Sequence, residues 1–337
     1  MGDRYVTYGR FSKSNDDAVK LYVASGIEHE IHNLQGDYLE WNRALSMFDG
    51  EHATSTVCEQ NKQLDPHEIH DLITALGDAN LAFKQASGAQ FVSGDEAILE
   101  IEDLQAQLLH DHLYKNKFWL AMQQPETVPQ NVYYGMAIEN FHFLFRESWF
   151  DSPVLNFVAS TKARLIMNAF YAEEYGHDEL IFKALQTLGV SRESIKETIP
   201  LPETLALCNA LAYWAANDPL FFFTTMGVLE GKDIEVDSFI LAMQNSKKIS
   251  PEFIKPILDH ANINIGAEHG VLTRELFREI PVVTLEQLRQ MRANTHIFVE
   301  LYDNFHTAVW NHYSTSHELL RTLSGLTLGG PAHANQR

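Results

Sequence analysis

From residue 95 onward, apolar residues recur at the spacing of an α-helix. The first such stretch, 95–122, carries Ile98, Ile101 and Leu108 along one helical face. Prolines separate the later stretches or begin them. Further helices are predicted at 131–149, 154–188, 201–217, 221–231, 236–244, 251–277 and 284–320. No strand alternation or tandem repeat interrupts them, so we expect a mainly α fold, a helical bundle, over 95–322.

The first 85 residues have a different pattern. Short β-favouring pieces at 5–8 and 36–41 accompany two helical patterns. In the second, Asp65 and Pro66 are suited to begin a helix, and apolar residues follow at helical spacing, namely Ile69, Leu72, Ile73 and Leu76. We therefore predict a small α+β domain at 1–88, the bundle at 95–322, and a disordered tail at 323–337.

The excess of acidic residues makes some classes of binding partner unfavourable. The chain has 45 acidic and 25 basic residues, a formal net charge of −20, which repels nucleic acid and anionic membranes. No apolar run is long enough to span a bilayer, and the first residues lack a signal-peptide pattern. Its two cysteines, Cys58 and Cys208, indicate neither a disulfide framework nor a thiolate zinc site. We expect a soluble, cytoplasmic protein.

Nitrogen and oxygen donors dominate the possible metal ligands. Sixteen histidines accompany the carboxylates, and this combination suits iron or manganese more than zinc. The first candidate pair is Glu174 and His177, whose spacing places both side chains on one helical face. Such Glu-x-x-His pairs build carboxylate-bridged iron sites in helical bundles. The alternative is an exposed polar face, but apolar neighbours such as Phe170 and Ile181 favour a buried pair.

Three further candidates come from other helices. Glu139 and His142 form a second Glu-x-x-His pair among aromatic residues, for which an internal hydrogen-bonded role is the alternative. Glu230 ends an apolar helix, where a carboxylate is unfavourable without a positive partner. In the last cluster, Glu268 and His269 are adjacent and point in different directions, so His269 is preferred, with His260 as a further possibility.

The order of these motifs resembles a known superfamily. A Glu-Glu-Tyr-Gly-His segment, a Glu about 56 positions later and a helix ending in Glu-His-Gly look like the haem-oxygenase-like di-metal oxidases. These are relatives of the TenA-like thiaminases and of the pyrroloquinoline quinone synthase PqqC. The resemblance covers about 95–320 and implies a haem-oxygenase-like fold. It also implies one or two Fe²⁺ ions held by Glu174, His177, Glu230 and His269, with O2 as co-substrate.

The chain departs from this family at two positions. Where the resemblance implies a His and an Asp, Asn262 and Gly266 stand here, respectively. Glycine has no side-chain donor, so the chain would hold one iron, recruit Glu139, His142 or His260, or use no metal. The resemblance also makes Tyr171 and Tyr175 candidates for catalytic roles, as hydrogen-bond donors or redox-active groups near the metal, although packing is the commoner role of aromatic residues.

The N-terminal region has a resemblance of its own. The run from Tyr38 through Phe-Asp-Gly-Glu-His, Thr-Ser-Thr-Val-Cys and Leu-Asp-Pro-His-Glu-Ile is similar to the winged-helix module of PqqD. This resemblance implies recognition of a precursor peptide, which would add as a strand to a sheet edge. The alternative is a small cap that only packs on the bundle.

Three functions therefore remain open. The first is an O2-dependent non-haem iron oxidoreductase of natural-product biosynthesis that acts on a carrier peptide or an amino-acid-like substrate. The second is a metal-free PqqC-like oxidase or a TenA-like hydrolase, which would need a nucleophilic cysteine. The third is a non-catalytic peptide-binding protein with a decayed metal site. The sequence leaves the substrate and the oligomeric state open, with a homodimer among the expectations.

Overall fold

The computed structural model describes most of the 337-residue chain. The described residues are 3–13, 18–22, 28–32, 34, 36–86, 89–157, 159–229, 234–266 and 269–322. The tail at 323–337, for which we predicted disorder, lies outside them. Among the described residues, no helix combines the length and the apolar character needed to cross a bilayer.

Strands and short helices alternate in the N-terminal part. Its elements are β1 (Arg4–Thr7), β2 (Arg10–Lys13), β3 (Ala18–Tyr22), β4 (Glu28–His32), α1 (Tyr38–Ser46), β5 (Asp49–Ala53), α2 (Thr54–Gln60), α3 (Pro66–Asp78) and β6 (Ala82–Lys84). They form two antiparallel sheets, one in the order β5-β1-β6 and one in the order β2-β3-β4. The strand expected at 5–8 is present, whereas 36–41 is wrong as a strand, because the side chain of Asp37 caps helix α1 there.

Helix α3 forms as its sequence indicates. The Asp65 carboxylate accepts a 2.8 Å hydrogen bond from the amide of His67, and Pro66 occupies the first turn. The predicted apolar stripe, Ile69, Leu72, Ile73 and Leu76, is buried in a small core. The helix is therefore confirmed, and Trp41 of α1 lies at 0% exposure in the same core.

The C-terminal part is helical, with one short β-ladder. Its helices are α4 (Gly94–Asp111), α5 (Lys117–Met122), α6 (Gln130–Leu144), α7 (Ser148–Val154), α8 (Thr161–Glu174), α9 (Asp178–Gln186), α10 (Arg192–Lys196), α11 (Pro202–Asn217), α12 (Pro219–Leu229), α13 (Ile234–Asn245), α14 (Pro251–Gly266), α15 (His269–Arg278) and α16 (Leu285–Tyr313). Helix α16 packs against α4, α6 and α11, and α9 packs between α6 and α14. The fold is mainly α, preceded by a small α+β region, as predicted.

Several predicted long helices are interrupted. The stretch predicted at 154–188 is wrong as one helix, because α8 ends at Glu174 and α9 begins at Asp178. Gly176 lies between them with φ of +98°, a backbone conformation that other residues adopt only with strain. The stretches predicted at 95–122 and 131–149 are likewise divided. Apolar periodicity continued across these breaks and concealed them.

The chain enters the helical part through close backbone contacts with α15. Strands β7 (Phe91–Val92) and β8 (Val283–Thr284) form an antiparallel ladder. Immediately after β7, the amide of Gly94 donates a 3.0 Å hydrogen bond to the carbonyl of Ile280. A β-carbon at Gly94 would overlap the carbonyl oxygen of Phe277, so this contact requires glycine.

A buried ion pair also ties α15 to α4. Nη2 of Arg274 lies 2.6 Å from Oε2 of Glu102, and both side chains are buried. Burial raises the pKa of Glu102, and the nearby guanidinium opposes that rise. This pairing fixes α15, whose first residue is His269, against the first long helix of the bundle.

Candidate functional site

Glu174 and His177 are buried at the break between α8 and α9. Glu174 is 1% exposed and His177 is 6% exposed. Their atoms Oε2 and Nδ1 are 2.7 Å apart, but the imidazole is not aligned for a hydrogen bond at this distance. A carboxylate oxygen and an imidazole nitrogen at this separation are suited to coordinate the same cation. The motif predicted from sequence thus lies inside the bundle.

Two more titratable side chains lie beside this pair. The ring of His260, on α14, meets the ring of His177 edge to face with centroids 5.0 Å apart. Asp151, on α7, is 3% exposed, and its Oδ2 has no hydrogen-bond partner among the described residues. Burial and the negative charge of Glu174 together raise the pKa of Asp151 well above its ordinary value.

Sequence reasoning named His260 only as a possibility and missed Asp151. Asp151 follows Phe150 and lies three residues before Val154, both of which are buried. A single acidic residue on an otherwise apolar helical face was the signal that could have revealed it.

The other Glu-x-x-His pair has a full set of protein partners. The Glu139 carboxylate accepts hydrogen bonds from the amide of Leu201 at 3.0 Å, from the hydroxyl of Thr204 at 2.5 Å and from the hydroxyl of Tyr313 at 2.9 Å. Burial nevertheless raises the pKa of Glu139, and these donors oppose the rise. The three hydrogen bonds account for the buried carboxylate without a metal.

Both ring nitrogens of His142 are also engaged. Nε2 lies 2.7 Å from the hydroxyl oxygen of Thr198, and Nδ1 lies 3.3 Å from Nη1 of Arg146. Burial, followed by the positive charge of Arg146, lowers the pKa of His142 to about 4. Glu139 and His142 therefore hold α6, α11, α16 and the segment around Thr198 together through hydrogen bonds.

The two candidate tyrosines lie near the helix break but towards its surface. Tyr175 is 78% exposed, and its ring lies 6.4 Å from the ring of Tyr171, which is partly exposed. The structure therefore brings both tyrosines to the edge of the candidate site and not into its buried part.

For the predicted ligands Glu230 and His269, the structure describes no side-chain position. Glu230 lies outside the described residues, and His269 begins α15 with its side chain outside them. Asn262, at a position where the resemblance implies a metal ligand, is exposed on α14.

The donors fit iron by type but do not complete a site. Asp151, Glu174, His177 and His260 offer two carboxylates and two imidazoles, the oxygen and nitrogen donors that non-haem iron uses. Among the described residues, however, no three His, Cys, Asp or Glu side chains are close enough together to enclose an ion. The sequence predicts that a complete site would draw on Glu230 and His269 as well.

The N-terminal part contains a separate cavity of about 400 Å³. It lies between β1, α2 and α3, and its lining includes Tyr5, Ser55, Cys58, His70 and Thr74. None of the described residues that line it is a lysine or an arginine. A cavity of this size accommodates a small molecule or a few side chains of a peptide.

Comparison with known proteins supports the fold. No protein-family model matches the chain, and no curated protein matches it. A crystal structure of a domain of unknown function with a haem oxygenase-like fold, from Shewanella denitrificans OS217, matches with a TM-score of 0.53 and 18% sequence identity. The match covers 66% of this chain and 94% of that chain. The helical part therefore has a haem oxygenase-like fold, and this likeness carries no statement about activity.

Proposed function

We propose that the helical part is an O2-dependent, non-haem iron oxidoreductase whose iron is held by Glu174 and His177. The observation that carries this proposal is the buried pair itself, whose atoms Oε2 of Glu174 and Nδ1 of His177 are 2.7 Å apart inside the bundle. Glu230 and His269 complete the proposed ligand set, and His260 is the nearest further imidazole. Bound Fe²⁺ with an open coordination position would supply the redox chemistry with O2.

The chain's own residues would prepare this chemistry. Burial of Glu174 and His177 excludes water from the donors, which strengthens their attraction for a cation. The turn at Gly176 sets the direction of His177 relative to Glu174, because it interrupts the helix between the two residues. Tyr171 and Tyr175, whose rings lie 6.4 Å apart at the rim, would contact a substrate that approaches from solvent.

Iron retention tests the proposal directly. Protein loaded anaerobically with Fe²⁺ and desalted should retain about one or two equivalents of iron, measured by mass spectrometry of the metal. Glu174→Ala and His177→Ala should each abolish retention. The matched control is Glu179→Gln. It changes a carboxylate of α9 that forms an ion pair with Arg192 of α10, and it should retain the wild-type amount of iron. If the wild-type protein retained no iron, the proposal would be ruled out, and a metal-free oxidase or a non-catalytic peptide-binding protein would be favoured.

The hydrolase alternative is disfavoured by the cysteine it would need. Cys208 is 0% exposed on α11, and burial raises the pKa of its thiol to about 12. A thiol in this state supplies almost no thiolate nucleophile at neutral pH. Cys208→Ser should therefore leave any activity of the protein intact, and a loss of turnover in folded Cys208→Ser protein would restore the hydrolase.

We further propose that the N-terminal part binds a precursor or carrier peptide. The cavity between β1, α2 and α3 supports this role, and so does the face of α3, which exposes His67, His70 and Asp71 and is unsuited to nucleic acid. A synthetic peptide that matches a precursor encoded beside this chain's gene is the probe. It should bind in calorimetry, and Thr74→Arg, which fills the cavity, should abolish binding. Equal binding by Thr74→Arg would contradict the assignment of the cavity.

A further inference from the structure

Several polar groups that line the cavity of the N-terminal part can only accept hydrogen bonds from a ligand. Nδ1 of His70 lies 2.6 Å from the carbonyl oxygen of Pro66, so this nitrogen carries the hydrogen and Nε2 of the neutral ring is an acceptor. The hydroxyl groups of Thr54 and Thr74 donate to the carbonyl oxygens of Asp3 and His70, at 3.0 and 2.8 Å. Their hydrogens are therefore engaged, and only the oxygen lone pairs remain for a ligand.

The lining also carries a negative charge. Asp3 contributes a carboxylate, and the described residues around the cavity include neither a lysine nor an arginine. Oδ2 of Asp3 lies 2.8 Å from Nζ of Lys84, but both side chains are more than half exposed, and Lys84 is not among the lining residues. Because such an exposed ion pair is weak, the carboxylate remains able to attract a second cation.

The two helices that begin beside the cavity do not favour an anion there. Helix α2 begins at Thr54, whose amide donates a 2.9 Å hydrogen bond to the carbonyl oxygen of Asp3. Helix α3 begins at Pro66, which has no amide hydrogen, and the carboxylate of Asp65 accepts a hydrogen bond from the amide of His67. The chain itself thus engages these amides, and Asp65 adds a further negative charge.

We propose that this cavity binds a lysine or arginine side chain of the peptide. The assignment rests on the proposed peptide binding by the N-terminal part and names the class of residue that the peptide carries. The aliphatic stem of the basic side chain would pack against Tyr5, Pro66 and Ile73, and its charged end would donate hydrogen bonds to Asp3 and His70. The formal net charge of −20 would attract such a peptide over a longer range.

Cys58 provides a reporter of the charge within the cavity. It lines the cavity and is partly exposed, whereas Cys208 is buried. Thiol reagents should therefore modify Cys58 alone, and Cys58→Ser should abolish the modification. After correction for the rates with a free thiol, the cationic reagent 2-aminoethyl methanethiosulfonate should react about 3- to 10-fold faster than the anionic 2-sulfonatoethyl methanethiosulfonate. Equal corrected rates in the wild type would overturn the proposal.

Two charge-removing variants separate the cavity from the charge of the whole protein. Asp3→Asn should lower the preference for the cationic reagent, because it removes the carboxylate of the lining and keeps the carbonyl that binds Thr54. The matched control is Asp71→Asn, which changes an exposed acid of α3 outside the lining and should keep the wild-type preference. Both variants should react with neutral iodoacetamide at the wild-type rate. Equal preferences in the two variants would contradict the role of Asp3.

Capped tripeptides test the side chain itself. Acetyl-Ala-Lys-Ala-amide should protect Cys58 from iodoacetamide at a concentration about 3- to 10-fold lower than acetyl-Ala-norleucine-Ala-amide, which has a similar stem without the ammonium group. Acetyl-Ala-Glu-Ala-amide should protect least. Equal protection by the lysine and norleucine peptides, or protection by none of the three, would overturn the assignment.

These outcomes are distinct from a failure of the proposed peptide binding. If the encoded precursor peptide bound in calorimetry but the lysine tripeptide gave no advantage, peptide binding would stand and the basic side chain would be ruled out. If the lysine tripeptide protected Cys58 but the precursor peptide did not bind, the cavity would keep its preference for a basic group and the peptide function would fail.

Discussion

Two Glu-x-x-His pairs with the same spacing lie in different surroundings within one bundle. Glu139 and His142 belong to α6 and are surrounded by hydroxyl groups, a backbone amide and a guanidinium that engage their polar atoms. Glu174 and His177 flank a helix break, contact each other without alignment for a hydrogen bond, and have Asp151 and His260 as neighbours. Spacing places two side chains on one face, but the neighbouring elements decide which groups surround their polar atoms.

The largest expected difference between the pairs is in the stability of the metal-free protein. Glu139→Ala leaves three buried donors without an acceptor and should lower the free energy of unfolding by about 3–5 kcal/mol. Glu174→Ala removes a buried charge next to Asp151 and should cost much less. Urea unfolding of both apoproteins provides the measurement. Equal losses in the two variants would erase the distinction between the pairs.

Acid should reveal the structural role of His142. Its pKa is lowered from 6.5 to about 4 in the folded protein, so folding disfavours the protonated ring. The corresponding stability is fully present above pH 6.5 and is lost as the pH falls from there to about 4, a contribution of about 3 kcal/mol. His142→Gln should therefore flatten the decline of unfolding free energy over this window. An unchanged slope would show that folding does not lower the pKa of His142.

A single hydroxyl group tests the hydrogen bonds around Glu139. Tyr313→Phe removes the donor that lies 2.9 Å from Oε1 of Glu139 and keeps the ring that packs against Gly135. We expect a loss of about 1–2 kcal/mol in unfolding free energy. The double variant Tyr313→Phe with Glu139→Ala should lose less than the sum of the single losses, since both changes remove the same interaction. Additive losses would contradict this coupling.

The smallest expected loss of stability concerns Gly176, at the break between α8 and α9, for which Gly189 provides a matched control. Gly176→Ala should cost about 1 kcal/mol through the backbone alone, because φ is +98° and no atom lies within 4 Å of the added carbon. Gly189→Ala meets the same conditions at φ of +80° and should cost a similar amount. Only Gly176→Ala should also weaken Fe²⁺ binding, since it alone alters the turn between Glu174 and His177. Equal Fe²⁺ affinity in the two variants would show that the turn does not set the pair.

The sequence predicted the helical class and the location of most helices because apolar residues recur along them at helical spacing. It also predicted the start of α3 from Asp65 and Pro66, where a local cap decides the outcome. The breaks were harder to foresee, since glycine within an apolar pattern is compatible with either a helix or a turn.

The candidate site was predicted only in part. Glu174 and His177 belong to a local motif that sequence spacing can reveal. Asp151 meets them through contacts between α7 and α8, and the partners of Glu139 come from Leu201, Thr204 and Tyr313, all far away in the chain. Such contacts depend on how the helices pack, which a single sequence does not specify.

The absence of a side chain at Gly94 has a mechanical consequence. Here the polypeptide leaves the small α+β region and at once contacts the last turn of α15, at the Phe277 carbonyl, and the Ile280 carbonyl just after that helix. The opposite end of the same helix begins with His269. A displacement of the small region would therefore move α15, whose ten residues span about 15 Å, as a rigid body.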